Sequence, residues 1–502
     1  MSPNIPSIST YPTSSTSEAA RFEVYNPATG ALLTTVQGSD ISTTTAAIEA
    51  AHEAYQTWRW RSPTERSLLL FKCADAVEKH AEELAHLLCL ENGKPYQDAL
   101  MFDVTFVRDI FRYYGSIVDK LPSEFYDRGS VYCQVVREPL GVVAGILPFN
   151  WPPIHTGGKI GPAIAAGNTI ILKPGEQAPL TVMRIVEILQ TVLPPNVVQA
   201  VPSAGPEIPQ LLAAHPLIKK ISLTGSTAAG AAAAKSAASH VIPSTLELGG
   251  KNAFLIFKDA DLDRAVADAL EGAFFNKGEA CTASSRLLVH SSIHDVFVER
   301  LGKLVGKLVV GNGMAKETHV GPSVSKAQQQ RVLNYIGIGK AEGAKIEAQA
   351  PLPSDPACKD GYFVPPTLFT GVTRNMRIAN EEIFGPVVTV LKFENEEEAL
   401  SIANESDYGL TCGVYTKDSE RAMRVARKMD VGIVWVNHYL RTTVGIPFGG
   451  QKASGYGREH CIEALHDYTT TKTIRIPSGL GTVPSWRAVA DVLKEYSMAE
   501  NF

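Results

Sequence analysis

From about residue 141 to residue 257 the chain repeats one pattern, a short apolar run followed by a segment with helical periodicity, and this alternation restricts the fold more than any other feature. "GVVAGILP" reads as a buried strand, "PPIHTGGKIGPAIAAG" as a glycine-punctuated helix, "NTIILKP" as a strand, and "LTVMRIVEILQTVL" as an amphipathic helix stopped by Pro194 and Pro195. "NVVQAV", "EIPQLLAAH", "LIKKISL", "AAGAAAAKSAAS" and "VIPSTLELGG" continue strand, helix, strand, helix, strand. Such alternation implies an α/β fold with a parallel sheet covered on both faces. Sheets of this kind bind nucleotides at the carboxyl ends of their strands.

The flanking regions extend the pattern. Upstream, "TTTAAIEAAHEAYQTWRW" and "PTERSLLLFKCADAVEKHAEELAHLLCLEN" read as two long helices, and "GSVYCQVVREP" as an excursion strand. Downstream, helix "DLDRAVADALEGAFFN", strand "SRLLVH" and helix "IHDVFVERLGKLVGKL" open a second alternating region, which resumes at 388–437 after a loop-rich stretch at 340–366. Beyond Pro477, Trp486, Val489, Leu493 and Tyr496 share a helical face behind Ser485, which suggests a short docked terminal helix.

Composition excludes several function classes. A net charge of -5 and a pI near 6.2 argue against general nucleic-acid or anionic-membrane binding. Seven scattered cysteines lack the spacing of a disulfide framework or of a zinc site, so no metal is expected and a reducing compartment is. The first twenty residues hold no Lys or Arg and fit neither a secretory signal nor a transit peptide. They read as a disordered cytosolic tail, and no apolar run is long enough to span a bilayer.

Chemistry-bearing residues cluster at expected strand ends. In "LIKKISLTGSTAAG", Gly225 and Ser226 open a small-residue helix whose free N–H groups suit an anion, although the same glycine spacing also suits tight packing on a sheet. Lys173 and Glu176 of "ILKPGE" end the neighbouring strand, where they fit either the hydroxyls of a ribose or a solvated charge pair. A 2'-phosphate would meet the charge of Glu176, which favours NAD over NADP. Asn150 of "PFNWPP" is placed as an oxyanion donor or a helix cap, and Glu247 of "TLELGG" as a carboxylate whose pKa an apolar setting would raise toward general-base range. Cys281 of "FFNKGEACTASSRLLVH" sits among small and polar residues, unlike an inert core cysteine.

Taken in order, "NPATG", "PFNWP", "LKPGE", "TGST", "LELGGK", "GEAC", "EEIFGPV" and "PFGGQKASGYGRE" make the chain resemble the NAD(P)-dependent aldehyde dehydrogenase superfamily from about residue 22 to residue 477. The resemblance implies a Rossmann-type coenzyme domain (21–119 and 141–249), an α/β catalytic domain (250–455) and a small β oligomerisation element (120–140 and 456–478), followed by a tail helix (479–502). It implies that the Cys281 thiolate attacks the aldehyde, with the Asn150 amide and the Cys281 N–H holding the oxyanion. Hydride then passes to the nicotinamide of NAD, and Glu247 activates the water that hydrolyses the thioester. Glu459 matches a second carboxylate that assists proton relay. Ile146, Leu147, Pro148, Phe149, Asn150, Lys173, Glu176, Gly205, Gly225, Ser226, Leu248, Gly249, Glu382 and Phe384 fall at cofactor positions. Trp151, His155, Gly158, Phe275, Thr282 and Phe448 fall at substrate-pocket positions. A homodimer or homotetramer in the cytoplasm is the expected assembly.

The chain departs from the family in places. "WPPIHTGGK" supplies His155 and Gly158 where a bulkier apolar tunnel wall is common, "NHYLRTTVGI" supplies His438, Tyr439 and Arg441, and Glu279 stands where Gln is common. A wider, more polar mouth for aromatic, hydroxylated or carboxylate-bearing aldehydes is one expectation; repacked walls with a broad aldehyde range is the other. A thiol esterase or acyltransferase without redox chemistry is the rival activity, and a scaffold protein that has lost redox chemistry is the rival of a different kind.

Overall fold

Every element expected between residues 141 and 257 is formed in the computed structural model, which describes residues 21–440 and 442–495. Strands Val142–Ile146, Thr169–Lys173, Val198–Ala200, Ile218–Thr224 and Ser244–Glu247 alternate with helices Pro152–Ala166, Leu180–Gln190, Glu207–Ala214 and Thr227–Ser239. Local chemistry explains the boundaries. Pro152 and Pro153 open the first helix, where missing N–H groups cost nothing, and Gly167 closes it at φ 96°. All residues of that helix are buried, because it lies between the sheet and the upstream helices.

These strands form a six-stranded sheet whose order runs Gly455–Tyr456, Ser244–Glu247, Ile218–Thr224, Val142–Ile146, Thr169–Lys173, Val198–Ala200. All neighbours are parallel except the late strand Gly455–Tyr456. The chain therefore starts in the middle and builds outward on one side before returning to the other. The loops after Val142–Ile146 and Ile218–Thr224 diverge at that reversal and leave a crevice between them.

Glu247 leads through a short connection into Ala253–Ile256, a central strand of a second, seven-stranded sheet. Its order is Lys345–Gln349, Thr367–Thr370, Val387–Phe393, Arg286–His290, Ala253–Ile256, Thr411–Tyr415, Ile433–Val436, parallel apart from the first strand. The carboxyl end of a strand in the first sheet thus runs directly into the amino end of a strand in the second, and the Cys281 segment lies just before Arg286–His290. A third, antiparallel sheet joins Glu124–Asp127, Val131–Pro139 and Thr469–Pro477. No helix among the described residues is long and apolar enough to cross a membrane.

Two expectations need correction. The second upstream helix is two helices, Pro63–Lys79 and Ala81–Asn92, broken at His80 (φ -106°, ψ 16°). Apolar periodicity continues across the break, so the sequence pattern does not register it. The terminal helix Arg487–Glu495 is not docked: Trp486 is 77% and Val489 43% exposed. Tyr496, Arg441 and the first twenty residues lie outside the described residues.

Candidate active site

The crevice at the strand reversal is a cleft of about 250 Å³. Its walls include Pro148, Phe149, Asn150, Gly225, Ser226, Glu247, Leu248, Gly249, Cys281, Glu382 and Phe384, all singled out from sequence, together with Thr224, Gln328 and Arg331. The buried Ile146 and Leu147 back the 147–151 loop, whose Leu147 N–H donates to the Lys173 carbonyl at 2.9 Å. Lys173 ends the next strand, and Glu176 beyond it accepts from the Gly205 N–H at 2.9 Å.

The segment before Cys281 is strained. Asn276, Lys277 and Gly278 hold φ of 50°, 53° and 68° in succession, a left-handed run that only surrounding contacts can maintain. The Asn276 amide donates to the carbonyls of Asn150 and Glu279, both at 3.0 Å. Lys277 donates to Asn92 (2.7 Å to O, 2.6 Å to Oδ1), and Asn92 donates to the Phe149 carbonyl at 2.8 Å. From the other side Asn252 donates to the Cys281 and Ala283 carbonyls at 2.7 and 2.9 Å. Asn276 and Asn92 thereby fix the Cys281 loop to the Asn150 loop, and Asn252 holds it to the second sheet. Cys281 itself is half-buried, and burial followed by the Glu247 and Glu382 carboxylates pushes its thiol up.

Two carboxylates near this cleft have opposite environments. Glu247, the last residue of its strand, is 3% exposed, and neither of its oxygens has a hydrogen-bond partner. Burial, then repulsion from Glu459, raises its pKa well above the ordinary range. Burial would also raise Glu459, but the fully buried Lys159 ammonium at 2.6 Å outweighs it and holds that carboxyl low. Lys159 donates to Thr224 (2.8 Å) and Ser222 (3.2 Å) as well, which anchors the pair to the central strand.

The far wall is built by helix Lys326–Ala341. Gln328 donates to the Phe384 carbonyl at 2.6 Å and Arg331 to the Glu382 carbonyl at 2.7 Å. Phe384 sits at φ 60° with its ring 5.7 Å from Phe149, edge to face. Glu382, raised by burial, accepts from the Gly250 N–H at 2.9 Å. Opposite, Ser226 caps the helix Thr227–Ser239 by accepting from the Ala229 N–H at 3.2 Å.

Residues 13–474 match the model of the aldehyde dehydrogenase family. The chain belongs to that family. It is 60% identical over 472 residues to an aldehyde dehydrogenase of Didymella fabae, covering 94% of this chain and 96% of that one. Among solved structures it resembles PnpE in complex with nicotinamide adenine dinucleotide (TM-score 0.90, 40% identity, 92% and 96% covered). It also resembles a betaine aldehyde dehydrogenase of Staphylococcus aureus in complex with NAD+ (TM-score 0.90, 36% identity, 93% and 94% covered).

The residues at the expected substrate positions of this aldehyde dehydrogenase do not line the 250 Å³ cleft; His155 and Gly158 are on helix Pro152–Ala166, Trp151 just before it, and Phe275, Thr282 and Phe448 on other segments. Trp151 packs on Phe102 (5.4 Å) and Phe275 (5.6 Å), with the Lys94 ammonium 3.5 Å from its ring centre. Phe448 lies 5.7 Å from the His460 ring. Thr282 is buried, and its carbonyl accepts from the Tyr439 hydroxyl at 3.0 Å.

Three departures read from sequence turn out differently. Gly158 does not widen the chamber: a Cβ built there would lie 2.7 Å from the His460 ring, so His460 fills that space. Tyr439 packs among Trp435 and Phe254 at 1% exposure rather than at the mouth. Glu279 is fully buried, accepting from the Val324 N–H (3.1 Å) beside Lys277 (3.5 Å). Its departure from Gln is matched inside the nucleophile loop, by a cation two residues away.

That pair yields a test. Burial pushes Glu279 up to about 7 and draws Lys277 down, while each charge favours the ionised form of the other. Lys277→Met strands the carboxylate and is expected to cost about 3 kcal/mol in urea unfolding at pH 8, whereas Lys277→Gln with Glu279→Gln should cost less than half of that.

The sequence reading missed Lys159 as the partner of Glu459, His460 as the chamber wall, and the clamps Asn92, Asn252, Asn276, Gln328 and Arg331. Asn92, Lys159 and Asn276 sit within segments quoted above, and Asn252 directly follows one. The partner each holds becomes visible only when segments distant in sequence pack on the site.

Proposed function

We propose that Cys281 is the nucleophile of an NAD-dependent aldehyde dehydrogenase, with Asn150 in the oxyanion hole and Glu247 as the base. The observation that carries this is the burial of both Glu247 oxygens, without partners, in the cleft that Cys281 and Asn150 share. A thiol pushed up by its surroundings needs an acceptor for its proton, and Glu247 is the unpaired carboxylate lining that cleft.

The sulfur bonds to the aldehyde carbon, and the carbonyl oxygen gains the negative charge. The Asn150 amide and the Cys281 N–H stabilise it, and the rigid asparagine clamps hold both donors in place beforehand. NAD, when bound, accepts the hydride. Glu247 then takes a proton from water, the hydroxide attacks the thioester carbon, the C–S bond breaks and the acid leaves. Glu459, kept charged by Lys159, biases Glu247 toward holding a proton and suits a role in passing it on.

The cleft fits NAD in two respects, a helix start at Gly225 and Ser226 for the pyrophosphate and Glu382 with Phe384 for the nicotinamide end, and beyond it Lys173 and Glu176, two strands over from Gly225, suit a ribose. The separation of the strands into three main sheets supports the domain division given from sequence. Exposed Phe125 (63%) and Ile476 (52%) on the antiparallel sheet suit an interface between copies, as a dimer or tetramer in the cytosol.

The test is NADH or NADPH formation over a panel of aliphatic and aromatic aldehydes. Oxidation with NAD is expected, at least about tenfold above NADP, because a 2'-phosphate would face Glu176. Equal use of both cofactors would refute the role of Glu176, and silence across the panel would refute the activity.

A further inference from the structure

Two buried imidazoles in the substrate wall lack hydrogen-bond partners. His155 is 6% exposed and both of its ring nitrogens are unpaired; His460 is 3% exposed and its Nδ1 is unpaired. An unmet polar atom in a buried wall is destabilising, so a pair of such rings calls for a ligand. They converge: His460 rests on the bare Cα face of Gly158, one turn along the helix from His155, and is held at φ 65°.

We propose that His155 and His460 form a hydrogen-bonding subsite in the aldehyde chamber that selects aryl aldehydes bearing a neutral hydroxyl group; this rests on the function proposed above. The aryl part follows from the lining. Trp151, next to Asn150 in the chain, packs with Phe275 and Phe102, and the rings of Phe448 and Phe106 lie against His460. His155 lies one turn beyond Trp151, the N-cap of this helix, and donates its backbone N–H to the Trp151 carbonyl at 3.1 Å; the rise of about 6 Å is one that a single aromatic ring can span.

The hydroxyl part follows from charge. Burial moves His155 down to about 3 and His460 to about 4, so both rings are neutral at working pH and each offers a donor and an acceptor. A hydroxyl group matches both. A carboxylate would find no uncommitted cation there, since Lys159 is paired with Glu459 and Lys94 with Asp103, and it would meet the Glu459 charge next to His460. Of the three substrate classes left open by sequence, the carboxylate-bearing one is thereby disfavoured.

The experiment compares kcat/KM with NAD for benzaldehyde, 3- and 4-hydroxybenzaldehyde, 3-carboxybenzaldehyde and hexanal. The native enzyme should prefer at least one hydroxybenzaldehyde over benzaldehyde about tenfold or more, with 3-carboxybenzaldehyde below benzaldehyde. In His155→Phe the ratio of hydroxybenzaldehyde to benzaldehyde kcat/KM should shrink to within about twofold; His155→Gln, which keeps a donor and an acceptor, should preserve part of it. Equal use of hydroxylated and plain benzaldehyde by the native enzyme overturns the proposal without any variant. A preference that survives intact in His155→Phe overturns it as well. Silence with every aldehyde, hexanal included, overturns instead the parent assignment of Cys281 and Glu247.

Discussion

Cys281→Ala is expected to lower aldehyde-dependent NADH formation by about 10⁴-fold or more, with the fold and NAD binding retained. Cys281 is the only cysteine among the described residues that line the cleft, and without its thiol hydride transfer would have to proceed from the free or hydrated aldehyde. The side chain is half-buried and small, and its segment is held by Asn252, Asn276 and Lys277 rather than by the sulfur, so its removal leaves the loop in place. Steady-state NADH formation and NAD titration by fluorescence separate the two effects. A variant that works at the native rate would show that the chemistry does not pass through sulfur, and would revive neither the thioester nor the thiol-esterase reading.

Glu247→Gln should behave differently. Gln keeps the size of the side chain but cannot take a proton from water, so acylation survives and hydrolysis of the thioester falls by about 10²–10⁴-fold. Rapid mixing should reveal a burst approaching one NADH per active site followed by slow turnover. The native enzyme should show a matching pH dependence. Because the carboxyl is raised well above its ordinary range by burial and Glu459, the basic form is lost as pH falls through that raised value, so turnover limited by hydrolysis increases with pH. In Glu247→Gln this rise should vanish. Loss of the burst together with turnover would mean that Glu247 acts before acylation, as the acceptor of the Cys281 proton.

Much of this site is legible in the order of the amino acids. Short apolar runs alternating with helical ones mark the parallel sheet, and a parallel sheet commits its strand ends to one side. Asn150, Gly225, Ser226 and Glu247 each follow or end such a strand, so their convergence on one cleft follows from chain order alone. Cys281 and Glu382 belong to the second sheet, and their meeting with the first is legible only through the family resemblance, not through periodicity.

The parts that escape are those set by contacts between distant segments. Gly158 reads as an opening when seen alone, yet His460, about three hundred residues later, fills it. Glu279 reads as a polar rim residue, yet it is sealed inside the nucleophile loop against Lys277 and Val324. The kink at His80 is hidden because apolar spacing on either side stays in phase. Alternating strands and helices, with polar residues at their ends, determined the sheet and the catalytic cleft, since hydrogen-bonded backbone and burial of apolar faces admit few other arrangements. Which side chains face the substrate, and which carboxylate holds its proton, was decided by tertiary packing, because desolvation and the partner within reach depend on neighbours that sequence spacing does not encode.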